Sequence, residues 1–572
     1  MLHMMGKKLK KIIAAGITAT AAAGTLIAVK KQREKQLLHH EQTMIEEVNK
    51  RDYKDMQVYF AGGGLASLSG AVYLLRDCHF KGENIHILGG MGIMDEKGNK
   101  LSTKPFPFKG KHMFFKETSE NFWELFSYIP SLSYPDKSVV EEMLSNYQNH
   151  SLAKPCFIDR NGNVTDKLRK DFSLQDKKAL GKLLASKDSK LQQRTIRDWF
   201  KETPHFFDTD FWYVWQTSFG FQKWSSLALF RRSLLRMMTL LGKTNPLEGA
   251  IPIPVDPYIL FIKPLLAYLE KHHVNIYPTY GVTDIDFDKD TLIPSSIHVT
   301  CPEREDYIIS LKEKDLCIIE NGFIAAYSGT GSLKGKASSS FSMKKELWKN
   351  IADKKQGLGN PTPFFHNREQ THKISFHISC KGRHFQKLIE KKCGNGPGKG
   401  AYIILKDSNW LMSILATPYS HKEQDKEETI FWGYGQYIDR LGDYVQKPMK
   451  ECSGEEIMKE LLHHLHLEKE ETAIMGSVIE AVPYYIPYAH SSLQPGHSSD
   501  RPNIIPEQSQ RLAFIGPFTN IPEDVPCMEE YSVRSGRMAV YHLLNMDMGI
   551  CPVTSHYKDP KIVMDVLKKF CP

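Results

Sequence analysis

The apolar run Val58-Tyr59-Phe60-Ala61 leads directly into Gly62-Gly63-Gly64, and no other stretch limits the fold as tightly. Beyond the glycines, Leu65, Leu68, Val72 and Leu75 recur at helical spacing. The pattern is a buried strand, a tight turn and a helix. Gly62 and Gly64 permit a turn that side chains would block. Backbone N–H groups at such a helix start, aided by its dipole, suit the pyrophosphate of a dinucleotide. Ser67 stands where the fingerprint has its third small residue, for close helix–strand packing. A second strand is expected over Asn84–Leu88. A binder of adenine dinucleotide normally ends this strand in Asp or Glu, which takes the ribose hydroxyls. Here it runs into Gly89-Gly90-Met91-Gly92, with no carboxylate before Asp95. The ribose anchor is missing or displaced.

A chain of 572 residues has room for two or three domains. Its net charge of +9 is spread out and suits an anionic partner, such as a lipid headgroup or a fatty carboxylate. No basic run interleaved with aromatics argues for nucleic acid. The ten cysteines form no C-x-x-C pair, which speaks against a zinc site and a disulfide framework and fits a reducing compartment. His463, His464 and His466 do not share one helix face and lack a carboxylate partner in the sequence pattern, so a solvated face is expected there and no metal. Near the N-terminus, Ile12 to Val29 is uncharged and flanked by lysines and Arg33. A single-pass membrane anchor, a cleaved signal peptide and a surface-lying helix compete as readings; the run's length and flanks favour the anchor, with a cytoplasmic body and membrane lipid as a partner.

The fold expected is α/β: a Rossmann-like nucleotide domain in discontinuous segments, with an inserted, mostly helical, aromatic-lined substrate domain and a helical C-terminus. The division is an anchor and linker at 1–50, nucleotide-domain pieces at 51–140 and 255–330, and a closing piece at 505–572. An aromatic-rich helical segment at 141–254 and a second part at 331–504 make up the substrate domain. Val274–Tyr277 and Val282–Phe287 read as strands returning to the first domain. Asp315–Ile319 and Leu512–Ile515 read as further strands, and Tyr531–Leu544 as the late helix that closes the nucleotide site. Trp199, Phe206, Phe211, Trp212, Trp215 and Phe219 belong to an aromatic-dense stretch that suits either a helical core or a long apolar pocket.

Taken together, Gly62-Gly63-Gly64-Leu65-Ala66-Ser67-Leu68, Ile85–Leu88, Trp123–Phe126 with Ile129–Leu132, and Phe219–Trp224 resemble the oleate hydratases, also called myosin-cross-reactive antigens. Asp407–Ser413, Glu451–Ile457, Asp500-Arg501-Pro502 and Ser532-Val533-Arg534 extend the resemblance, in order, over roughly residues 55 to 560. The resemblance implies an FAD-binding enzyme that adds water across a cis double bond of an unsaturated fatty acid. It places FAD on Gly62, Gly64, Leu65, Ala66, Ser67, Val282, Gly322 and Ser532, and the fatty carboxylate on Thr417 and His421. A homodimer is compatible with it.

The sequence departs from the family's pattern at the reacting groups. The family's water-activating Glu lies in an Arg-Gly-Gly-Arg-Glu-Met stretch, and the corresponding stretch here is Lys109-Gly110-Lys111-His112-Met113. The family's proton-donating Tyr precedes a His-Arg pair, and aligning on Arg236 puts Ser233 there. Leu415 and Thr417 stand where the family has Thr and Asn. Asn321 and Phe323 replace the Thr/Ser neighbours of Gly322. His112 and Ser233 are thus the candidate catalytic positions, and FAD is expected to bind weakly or to be lost. The competing reading is a catalytically degenerate, membrane-anchored fatty-acid-binding or partner-binding member.

Overall fold

The computed structural model describes residues 53–89, 113–147, 155–165, 172–241, 247, 249–253, 257–301, 304–321, 328–338, 347–418, 428–526, 528–554 and 556–570. Its organising element is a five-stranded sheet of β1 (Val58–Ala61), β2 (Ile85–Leu88), β3 (Asn275–Tyr277), β4 (Leu316–Glu320) and β5 (Leu512–Ile515). The strand order is β5-β4-β1-β2-β3 and every pairing is parallel. Val58–Ala61 is the central strand, as the sequence predicts. The strands are near-continuous apolar runs because both sheet faces are covered. Alternation assigns the faces. Val58, Phe60, Ile85, Ile87, Ile318 and Ile515 join one core, while Ala61, Leu88, Cys317, Ile319 and Phe514 join another.

Five helices frame the sites: α1 (Leu65–Asp77), α2 (Glu120–Tyr128), α3 (Asp210–Phe219), α4 (Leu227–Arg236) and α5 (Glu529–Leu543). Helices α1, α2 and α5 cover the first face, burying Leu68, Val72, Phe122, Phe126 and Val540 there. The backbones of α1 and α5 meet at Gly536, where a β-carbon would lie 2.5 Å from the Ala66 carbonyl oxygen and 3.1 Å from the Gly70 nitrogen. Gly70 in turn lies over Phe60, with a β-carbon 2.9 Å from its ring. The close helix–strand contact expected at Ser67 therefore falls one turn later, at Gly70.

The second face carries an antiparallel sheet of Gly281–Phe287, Pro294–Cys301 and Arg304–Ser310, together with the helix Leu347–Lys354. Of the two strands expected to return to the first domain, β3 joins the parallel sheet at its edge. The segment with Val282 instead pairs with Pro294–Cys301 and packs on the sheet from above.

The other half of the molecule, expected as a mostly helical substrate domain, is not mostly helical. It builds an eight-stranded mixed sheet from Gly329–Thr330, Val478–Ile486, Lys373–Lys381, Glu428–Gly435, Met412–Ala416, Ala401–Leu405, Pro155–Ile158 and Val164–Thr165, in that order. Along Ala401–Leu405, Ala401, Ile403 and Leu405 face the helices His384–Lys392 and Gly454–His464. Tyr402 and Ile404 face α3 and α4. The aromatic stretch is thus a helical layer on one side of a sheet. Trp212, Trp215 and Phe206 are buried in it, and the rings of Phe200 and Phe206 stack with centroids 3.8 Å apart. The strand Met113–Phe115 joins the two halves: Phe114 enters the core under α2, while Met113 and Phe115 enter the aromatic cluster.

The membrane expectation is corrected. Among the described residues no helix is long and apolar enough to cross a membrane. Ile12–Val29 lies outside the described residues, so nothing supports an anchor or the single-pass placement built on it.

Candidate functional site

At the turn from β1 to α1 the backbone donors converge on one acceptor, Glu320. This residue ends β4, whose other residues are apolar and buried. Its Oε2 accepts the Gly64 N–H at 2.6 Å and its Oε1 accepts the Ala66 N–H at 3.3 Å. Burial pushes the Glu320 carboxyl up, opposed by hydrogen bonds from Ser67, Gly64 and Ala66 that favour its charged form. Helix α1 has no side-chain cap of its own at Gly64, and the carboxylate serves instead. The glycines make room for it: a β-carbon on Gly62 would sit 2.8 Å from the β-carbon of Glu320, and one on Gly64 would overlap Oε1. Next along the strand end, Asn321 is buried, and neither of its amide atoms has a hydrogen-bond partner among the described residues.

The cradle thus gathers Gly62, Gly64, Leu65, Ala66 and Ser67. Ser532, half-buried in the first turn of α5, is tied in through its carbonyl, which accepts the Ser535 hydroxyl at 2.7 Å; that hydroxyl accepts the Gly516 N–H at 2.9 Å. Val282 sits in the antiparallel layer, packed against the cluster that includes Ala61, Leu88 and Ile319. Thr417 lies in the eight-stranded half, its carbonyl accepting the Gln386 side chain at 2.9 Å. His112, Gly322 and His421 lie outside the described residues.

Ser233, on α4, is buried at 3% exposure in the aromatic layer, and its hydroxyl accepts the Trp215 indole N–H at 3.3 Å. Its neighbour Leu234 shares one apolar cluster with Met113, the residue after His112. Buried polar groups sit beside that cluster. The Tyr402 hydroxyl donates to Thr217 at 3.0 Å and accepts from Ser218 at 3.3 Å. Beside α3, Gln216 donates to Gln222 at 2.8 Å and to the Tyr437 hydroxyl at 2.6 Å, and the His490 Nε2–H donates to Gln436 at 2.9 Å. Burial drops His490 well below the ordinary histidine range, so the ring is neutral. The sequence reading missed this network, because its members are spread from 216 to 490 with no motif linking them.

A buried charge cluster ties α4 to α2 and α5. Arg236 meets Glu120 at 2.8 Å and Asp524 at 3.1 Å; Arg534 meets Glu120 at 3.1 Å, Asp524 at 3.2 Å and Glu530 at 2.9 Å. Two guanidiniums thus face three carboxylates. Burial pushes the Glu530 carboxyl up to about 7, against the pull of Arg534 and Asn121. Burial pushes the Glu120 carboxyl up as well, but Arg236 and Thr554 outweigh it and hold it below its ordinary value.

The histidine run also differs from expectation. His464 is buried with carboxylate partners, Asp443 and Glu460, each at 3.3 Å. The three ligand-type atoms lie within 4.8 Å of one another. Glu460, however, already accepts the backbone N–H groups of Asp443, Tyr444 and Val445, and Asp443 accepts that of Asn409. The group holds a turn in place.

The sequence matches the model of the MCRA family over residues 55–541. The chain belongs to the MCRA family. It is 32% identical to an oleate hydratase of Streptococcus pyogenes serotype M49 (strain NZ131) over 511 residues, which are 86% of each chain. It is 29% identical to a linoleate hydratase of Lactiplantibacillus plantarum over 555 residues, 89% of this chain and 97% of that one. Among solved structures, an oxidoreductase of Methanosarcina mazei superposes with a TM-score of 0.45 at 12% identity, over 85% of this chain and 99% of that one, too distant a likeness to bear on function.

FAD is the cofactor that the resemblance of this MCRA chain to oleate hydratases implies. The nucleotide-type strand, turn and helix are present. The donor set that would hold the pyrophosphate is taken by Glu320. At the end of β2 the chain turns at Gly89, whose N–H donates to the Tyr277 carbonyl at 3.0 Å, and among the described residues no carboxylate stands at that strand end for the ribose. With Glu320 in the cradle the residues present do not fit FAD.

Proposed function

We propose that this protein is a fatty-acid hydratase, adding water across a cis double bond of an unsaturated fatty acid. The observation that carries the reading is the match to an oleate hydratase along 86% of both chains. Both named relatives are hydratases of unsaturated fatty acids, so the degenerate binding-protein alternative has no support from them.

The reaction delivers a proton to one alkene carbon and the oxygen of water, less a proton, to the other. The apolar face formed by α3, α4 and the strand Ala401–Leu405 suits a long hydrocarbon chain. Positions 112 and 233 are where the acid and base would act. A Ser233 hydroxyl is a far weaker acid than a phenol, so slow turnover is expected. His112 is the titratable group of the two near neutral pH and is assigned to water activation. Thr417 and His421 are assigned to the fatty carboxylate.

The test is incubation of purified protein with oleate and with linoleate, with and without added FAD, followed by mass spectrometry of the products. Hydroxy fatty acid that vanishes in His112→Ala supports the reading. Absence of any hydroxy acid from both substrates overturns it.

A further inference from the structure

We propose that Glu320 is a resident anion in the phosphate cradle: its carboxylate takes the backbone donors of the β1–α1 turn and keeps a dinucleotide pyrophosphate out. A carboxylate and a phosphate are drawn to such a helix start by the same oriented N–H groups and the same dipole. The backbone N–H groups of Gly64 and Ala66 go to the one carboxylate. The room that Gly62 and Gly64 leave, which elsewhere lets a phosphate approach the backbone, is filled by the Glu320 side chain itself.

The competition is uneven. Glu320 is carried on β4, paired to β1 on one side and to β5 on the other, so its carboxylate is tethered at the cradle. FAD must arrive from solution, break both hydrogen bonds, and either move the carboxylate or lie beside its like charge. Losing two charge-assisted hydrogen bonds handicaps the cofactor by roughly a hundredfold or more. Among the described residues nothing at the end of β2 offsets this, because the strand closes on Gly89 where a ribose-binding carboxylate would stand. The Gly64 and Ala66 donors are also satisfied without a ligand.

The experiment reads binding, not turnover, and stands apart from the hydratase assay. Full-length wild type, Glu320→Thr and Glu320→Gln are titrated with FAD and with inorganic pyrophosphate, following flavin fluorescence and the shift in melting temperature. Wild type is expected to show no saturable binding and no thermal shift. Glu320→Thr, which clears the carboxylate, is expected to bind FAD roughly a hundredfold more tightly than wild type, with a melting temperature that rises with FAD. Glu320→Gln keeps the side-chain shape while removing the charge, and falls between the two; it serves as the test if Glu320→Thr does not fold. Wild type that binds FAD as tightly as the variants, or is purified yellow with one flavin per chain, overturns the proposal. So does a folded Glu320→Thr that takes up neither probe.

Discussion

Glu530 should make the stability of this protein fall as pH rises towards neutrality. Its carboxyl is buried at 1% exposure, and it is the third carboxylate facing two guanidiniums. Burial lifts its pKa from an ordinary 4.5 to about 7. Between those two values the folded chain holds a proton that the unfolded chain has released. Stability therefore declines as pH rises from about 4.5 to about 7, and this contribution is flat on either side. The interval is worth roughly 3 kcal/mol, with no discount for solvent screening at so buried a site. Glu530→Gln mimics the protonated state and can still accept from the Phe122 N–H. Urea unfolding at pH 5 should find wild type and variant within about 1 kcal/mol of each other. At pH 8 the variant should be the more stable, by roughly 2–3 kcal/mol. The comparison is between two curves measured alike, so departures from a single transition in a chain with several cores largely cancel. If the two proteins lose or gain stability in parallel from pH 5 to 8, the proton is not on Glu530 and the count of charges in this cluster is wrong.

Three further outcomes rest on particular contacts. Arg236→Met leaves Asp524 and Glu120 with one guanidinium between them and should cost about 3–5 kcal/mol in equilibrium unfolding; a loss under about 1 kcal/mol would mean the pair is not buried in solution. Gly536→Val places a branched side chain against the Ala66 carbonyl and should destabilise by about 1–3 kcal/mol despite the better helix propensity, read as a lower urea midpoint; an unchanged midpoint would show that α1 and α5 separate at little cost. His112→Glu combined with Ser233→Tyr should raise the rate of oleate hydration on the order of a hundredfold or more, and by more than the two single changes together, measured as initial rates of hydroxy-acid formation; merely additive gains would show that the two positions do not act as a unit.

The parallel sheet was legible because four of its strands are largely buried on both faces and so read as near-continuous apolar runs between turn residues, interrupted by His86 in the second. Val58–Ala61, Ile85–Leu88, Leu316–Ile319 and Leu512–Ile515 all carry that signature, and they lie where it puts them. The eight-stranded sheet was harder to see as a whole. Ala401–Leu405 and Glu428–Gly435 are recognisable one at a time. Their partner Pro155–Ile158, however, comes from some 240 residues upstream and pairs in parallel with Ala401–Leu405. Local pattern carries no record of such a pairing. The aromatic stretch drew attention to helices alone, because the sheet face under it supplies only alternate residues such as Tyr402, Ile404 and Leu415.

The cofactor site shows where a fingerprint misleads. The fingerprint asks for a carboxylate at the end of β2, and Gly89 in its place implies a weakened ribose anchor. That absence is real, but the stronger obstacle is a carboxylate present at the end of another strand. The signal was in the sequence: Leu316-Cys317-Ile318-Ile319 is wholly apolar and closes on Glu320, and a charge ending a buried parallel strand must meet compensating donors. In a parallel sheet the C-terminal strand ends lie on one edge, the same edge where the β1–α1 turn exposes its N–H groups. Register then decides the meeting. Ala61 pairs with Ile319, so Glu320 is level with Gly62, and its side chain reaches the first turn of α1. A residue 256 positions away in the chain thus occupies the place a pyrophosphate would take, and the glycines that suggested a ligand serve a side chain of the protein itself.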